Sequence, residues 1–200
     1  MNFGDPDGAT PLGPDEMRGL KFSHVTTRGE LDELEQANIQ QGIMWLFARK
    51  RGDVLDDVFL RKAHERLFGD VWDWAGSYRQ REMNIGIDPR EIAVQLRMHL
   101  DNARYWADEE TFTPLEAAAR FHHRLVEIHL FANGNGRHAR IVTDLYLRDY
   151  YNHPVIQWTG GQNLQVSSER RDAYIAALRA ADGGTFEPLL EFVGAERAGG

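Results

Sequence analysis

Six times along the chain a residue that favours a helix start stands directly before a run with helical spacing. That recurrence points to an all-α fold, because the first backbone N–H groups of a helix lack partners and Ser, Thr or Asp side chains supply them. Thr27 and Glu30 form a capping-box pair ahead of ELDELEQANIQQGIMWLFARKR. The acids of that stretch (Glu30, Asp32, Glu33, Glu35) come first and its bases (Arg49, Lys50, Arg51) last, as the helix dipole prefers, which predicts a helix over 30–51. Asp53 opens VLDDVFLRKAHERLF and Gly69 closes it. Asp88-Pro89-Arg90-Glu91 and Thr113-Pro114-Leu115-Glu116 each put a cap, a first-turn Pro and a Glu before another helix. Ser167 or Ser168 opens ERRDAYIAALRAAD, Gly183-Gly184 ends it, and Thr185 can cap FEPLLEFV.

Two pieces lack such signals, residues 72–88 and 151–161. In the first, Tyr78, Met83, Ile85 and Ile87 around a Gly suit a short β-hairpin or extended flap. The expectation is a single compact domain of about seven helices at 21–195, an irregular Gly- and Pro-rich arm at 1–20 and a disordered tail at 196–200.

A chain of 200 residues buries about 70% of its unfolded surface, so the core needs no covalent staples. The absence of Cys removes disulfides, thiolate nucleophiles and Cys-ligated metals, leaving His, carboxylates, hydroxyls and backbone amides for any chemistry. A net charge of −8 disfavours general duplex nucleic-acid binding but allows a local cationic pocket. No basic start precedes an apolar run, and no stretch approaches the ~18 apolar residues of a membrane span. The chain reads as soluble and cytoplasmic, with no membrane partner.

Residues 113–150 carry the chemistry. Leu115, Ala118, His122, Leu125 and His129 step by three and four, so His129 sits where one helix runs out. Asn133-Gly134-Asn135-Gly136 then permits tight turns, and IVTDLYL resumes helical spacing. The second helix begins with Arg137, His138 and Arg140, cations where the dipole is already positive. An anion resolves that conflict: outward amides and two Arg at i and i+3 make a phosphate cradle. Taken singly the signals are bland. His129 alone suits a helix cap, Asn-Gly-Asn-Gly a plain turn, and Arg140 a pair with Asp144. Trp72, Trp74 and Trp158 read as core anchors, and a zinc site from His122, His123 and His138 lacks the usual spacing.

HLFANGNGRHAR resembles the Fic-domain signature His-x-Phe-x-(Asp/Glu)-Gly-Asn-Gly-Arg-x-x-Arg at His129, Phe131, Gly134, Asn135, Gly136, Arg137 and Arg140. LRKAHERLFGDVWDWAGSYR and YIAALRAADGGTFEPLLEFV are similar to flanking Fic segments, so the likeness spans about residues 30–193. DPDGATPL, LEQANI and NGNGRHAR look closest to the branch called mobile mystery protein B.

The resemblance implies a Fic-type protein adenylyltransferase that moves AMP from ATP to a Ser, Thr or Tyr hydroxyl of a protein partner. His129 would be the general base, near its ordinary pKa of ~6.5. Gly134, Asn135 and Gly136 would hold phosphate, and Arg137 and Arg140 would neutralise β- and γ-phosphate charge. Phe131 would pack in the core and orient the loop, and the flap at Met83, Asn84, Ile85 and Gly86 would dock the target by strand addition. The family's Mg²⁺-binding carboxylate is replaced by Asn133, which lowers the expected metal affinity. That departure leaves open a degenerate nucleotide-binding or interaction module, and transfer or removal of another phosphate-containing group. Glu35 is the candidate for the inhibitory Glu that pairs with the second motif Arg, Arg140; its other reading is a helix-start acid. A toxin-like role with a regulatory or antitoxin partner also follows from the likeness.

Overall fold

The computed structural model describes residues 12–48, 52–159 and 168–195. Residues 1–11 of the arm, the expected helix end at 49–51, the stretch 160–167 and the tail at 196–200 lie outside them. Among the described residues eight α-helices form: α1 (Pro14–Arg18), α2 (Arg28–Leu46), α3 (Asp57–Phe68), α4 (Ile92–Asp108), α5 (Pro114–Ile128), α6 (Asn135–Tyr151), α7 (Glu169–Asp182) and α8 (Glu187–Val193), with a 3₁₀ turn at Pro89–Glu91. The architecture is all-α.

Most caps sit where the sequence puts them. Glu30 N–H donates to the Thr27 hydroxyl while the Glu30 carboxylate accepts from Thr27 N–H at 3.0 Å, completing the capping box of α2. Thr113 caps α5 and Ser168 caps α7. Two positions move. Asp56 rather than Asp53 caps α3, because Asp53 accepts from Leu55 N–H at 2.9 Å and makes its own turn. Phe186, with no side-chain bond, precedes α8 in place of Thr185. The helix predicted over 30–51 ends at Leu46, with Phe47 as its cap.

The arm is not irregular throughout. Pro14–Arg18 is helical, and its Glu16 carbonyl accepts from the Trp74 indole at 2.9 Å. Leu20 then forms an antiparallel bridge to Trp72, which lays this segment over the turn at 72–76. Of the two forms expected for residues 72–88, a short hairpin or an extended flap, the hairpin is corrected: among the described residues no strand pairing forms within it. The carbonyls of Arg81 and Ile87, which a ladder would use, are taken by the Arg79 side chain.

α5 is the hub and packs against α4, α6, α7 and α8. Ala117, Ala118 and Ala119, all fully buried, let neighbouring helices approach it closely on several sides. One core lies between α2, α3, α4, α5 and α6 around Phe68, Phe121, Phe131 and Tyr146. A second gathers Leu147, Trp158, Tyr174 and Phe192 under α7 and α8. The loop 129–134 crosses the end of the first core, so its backbone is held by packed elements and not by solvent.

Candidate active site

α5 ends on His129, whose backbone is left-handed at φ 58° and ψ 68°. Such a conformation is uncommon outside Gly, although His tolerates it better than most. It turns the chain sharply off the helix, and Phe131 drives into the core, where its ring stacks on His64 with centroids 3.7 Å apart. The expected orienting role of Phe131 has this packing beneath it. Gly134, at φ 78°, caps α6, and a Cβ there would lie 2.6 Å from the Phe68 ring, so both conformation and space require Gly.

The amide of Asn135 serves the loop first. Its oxygen accepts from Phe131 N–H at 2.9 Å and its nitrogen donates to Phe131 O at 2.8 Å, in a buried position. Closure of the loop is therefore the use the structure shows for a side chain expected to hold phosphate. Gly136 leaves the first turn of α6 open: the nearest atom a Cβ would meet there is an Arg140 guanidinium nitrogen at 3.5 Å.

Arg137 and Arg140 face different partners. Arg137 bonds Glu35 at 2.5 Å, with the Glu35 side chain 5% exposed. The Trp72 indole donates to the other Glu35 oxygen at 2.8 Å. Glu35 therefore lies buried in the second turn of α2 and is not a surface acid favouring a helix start. It also pairs with the first motif Arg, whereas the expected partner was Arg140. The Arg140 guanidinium lies 5.5 Å from the Tyr174 ring centroid, and the acid expected to hold it, Asp144, accepts from Ile156 N–H and the Trp158 indole.

Burial and the nearby positive charge of Arg79 push the His129 imidazole down to about 4, against the opposing effect of a hydrogen bond to the Val126 backbone. This differs from the expected value near 6.5. The ring is a weaker base than expected but neutral, and so able to accept a proton, at any pH above about 5.

Residues 54–147 match the model of the Fic/DOC family, across α3 to α6 and the loop between α5 and α6. The chain belongs to the Fic/DOC family. The Fic domain is 30% identical over 147 residues to protein adenylyltransferase fic-1 of Caenorhabditis elegans, covering 70% of this chain and 26% of that protein. It is 28% identical to protein adenylyltransferase Fic of Nematostella vectensis, covering 74% and 33% respectively. The chain thus spans about a quarter to a third of these curated relatives. The fold is shared with BepC of Bartonella tribocorum, solved with bound AMPPNP, at TM-score 0.68 and 16% identity, over 90% of this chain and 96% of that one.

Two supports of the Fic loop were not singled out from sequence. His64, fully buried on α3, accepts from Gly76 N–H at its Nδ1 and reaches Asn133 O from Nε2, both at 3.0 Å. The first bond fixes Nε2 as the donor. Arg79 is the other, and its bonds are described below. Neither stands out in the sequence, since a His or Arg among other charged and polar residues (RKAHER, SYRQRE) carries no distinguishing pattern. The remaining motif-region histidines separate: His122 meets Tyr174 OH, His123 meets Asp182, and His138 meets Leu60 O.

For Mg²⁺ the donor set at the loop does not fit. The Asn133 amide oxygen is uncharged, already accepts from Gly134 N–H at 2.6 Å and lies 3.3 Å from an Arg137 nitrogen. A hard dication prefers charged oxygen and avoids a neighbouring guanidinium. Among the described residues no helix is long and apolar enough to cross a membrane.

Proposed function

We propose that this Fic domain transfers AMP from ATP to a hydroxyl side chain of a protein. The observation that carries the reading is the Glu35–Arg137 contact: an anion already rests against the cationic amino end of α6, beside the loop that carries His129. A site that holds a carboxylate there is suited to a phosphate oxyanion. In the proposed step His129, neutral in its pocket, takes the acceptor's proton as that oxygen bonds to the α-phosphorus. The bond from phosphorus to the bridging oxygen breaks and pyrophosphate leaves. Arg137, Arg140 and the α6 amides balance phosphate charge, a positioning and electrostatic contribution. The names of the curated relatives support the same activity. No step here is routed through Mg²⁺, because the loop's own donors do not fit it. Incubation with labelled ATP and candidate proteins tests the reading: no labelling of any protein by a chain that binds ATP would overturn it in favour of a nucleotide-binding module.

Glu35 regulates this site in the same reading, by occupying Arg137 until ligand phosphate displaces it. Glu35→Gln keeps the shape and an oxygen for the Trp72 indole but removes the charge. A charge-assisted hydrogen bond contributes about 1.5–3 kcal/mol, so ATP is expected to bind the variant about tenfold more tightly or better. Calorimetric titration checks this, and an unchanged Kd would assign Glu35 to folding alone. Conversely, Asn133→Asp supplies the missing charged oxygen. Transfer by that variant is expected to rise with Mg²⁺ at concentrations where the native chain responds little, and identical Mg²⁺ curves would remove position 133 from metal binding. A toxin-like role, an antitoxin-type partner and the mobile mystery protein B branch rest on the sequence likeness.

A further inference from the structure

Arg79 lies in the irregular segment after the Trp-Ala-Gly turn, yet only 3% of it is exposed. A buried guanidinium requires an acceptor for nearly every N–H, and here backbone carbonyls provide them. Nε donates to His129 O at 2.6 Å and one terminal nitrogen to Arg81 O at 2.9 Å. The other terminal nitrogen donates to Ile87 O and, at 3.3 Å, to Ile128 O. The Arg79 backbone N–H adds a bond to Leu130 O at 3.0 Å. One residue thus takes three consecutive carbonyls, 128–130, where α5 ends and the motif begins, and two more from the flap.

The flap meets the same point from the other side. At Gly86, whose φ is 108°, a Cβ would lie 2.7 Å from both an Arg79 terminal nitrogen and the His129 Cβ. No side chain larger than hydrogen fits without displacement, so flap backbone, guanidinium and imidazole stem are in direct contact. The carbonyls of a helix end carry partial negative charge, and a cation there is favourable as well as geometrically fixed.

We propose that Arg79 is a positioning residue for the transfer step, bolting the base His129 to the flap so that the acceptor segment and the base move as one body. The proposal rests on the reading of His129 as base and of residues 83–86 as the acceptor's platform. Among the described residues, Arg79 is the charged group whose field reaches the imidazole, and its charge opposes imidazolium formation. From α5 the ring meets the Val126 backbone, while Arg137 and Arg140 of α6 engage Glu35 and Tyr174. Lys retains the charge at position 79 but cannot reproduce the fork.

The test uses Arg79→Met and Arg79→Lys in the full chain, with the fold and the His129 ring resonances followed by NMR at pH 7 and transfer assayed alongside. In both variants the maximal transfer rate is expected to fall about 10- to 100-fold with ATP affinity unchanged, as for a misplaced base. Retention of the charge in Arg79→Lys is not expected to rescue the rate, because the fork is lost. Native transfer rates in either folded variant, or a loss of ATP affinity equal to the loss of rate, would overturn the proposal. If Arg79→Met does not fold, the Lys variant decides alone. If the native chain transfers nothing, the functional reading fails, and the ring resonances at pH 7, expected to move in both variants, still report whether Arg79 holds His129.

Discussion

His129→Asn is expected to lower the rate of AMP transfer by about 10²- to 10⁴-fold while leaving ATP affinity within about twofold of the native chain. The size is that of removing a positioned general base, whose contribution is confined to the chemical step. Asn is the informative replacement because His129 sits at φ 58°, where Asn is tolerated and most other side chains are strained. His129→Ala would mix loss of the base with a change in the turn that presents the loop. Neither variant touches the Glu35–Arg137 contact or the open first turn of α6, so nucleotide retention should survive. Equal transfer by the Asn variant would take His129 out of its role. Parallel loss of transfer and ATP binding would show that the residue shapes the nest instead. A pH profile adds a second check: with the ring held at about 4, the native rate should not fall on its account between pH 8 and pH 6.

What was legible in the sequence, and what was not, divides by range. A helix cap is settled within four residues, so the Thr27–Glu30 box and the Thr113 cap could be read directly, and the structure contains both. The loop is also local: His129, Gly134 and Asn135 are close in sequence, and the turn they form follows from their own backbone preferences. The partners of that loop are distant. Glu35 reaches Arg137 across 102 residues, and its choice of the first Arg over the second depends on how α2 lies along α3. The hairpin alternative for the flap fails for a related reason. Alternating apolar residues suit a hairpin, but Arg79 draws two flap carbonyls inward, a constraint invisible to any alternation pattern. Asn135 shows that a matched motif position does not fix how the side chain is used: its amide closes the loop on Phe131.

Acid is expected to unfold this domain cooperatively with a midpoint between about pH 5 and pH 6, above the ordinary carboxylate range. Five buried histidines set that threshold. Burial holds His99 and His122 at about 3 and His129 and His138 at about 4. His64 is held well below its ordinary value by burial and by the neighbouring His138. All five are neutral in the fold but bind protons near pH 6.5 once the chain is open. Their folded-state values are depressed, so below pH 6.5 the unfolded state takes up more protons, and stability is lost as pH falls from 6.5 toward 4. At pH 5.5 the five together shift the balance by several kcal/mol, a large part of the stability of a typical domain. Asp144 acts in the opposite direction. Its burial raises it to about 6, so protonation relieves it in the same window, but it is one group against five. The consequence reaches the site, because His64 stacks on Phe131, His138 meets both rings edge-on, and His64 bonds the Asn133 carbonyl. Far-UV circular dichroism across pH 7 to 3, with urea midpoints at pH 7 and pH 5.5, measures the effect. A native spectrum and an unchanged urea midpoint at pH 5.5 would show that these histidines charge within the fold, with water admitted around the loop they support.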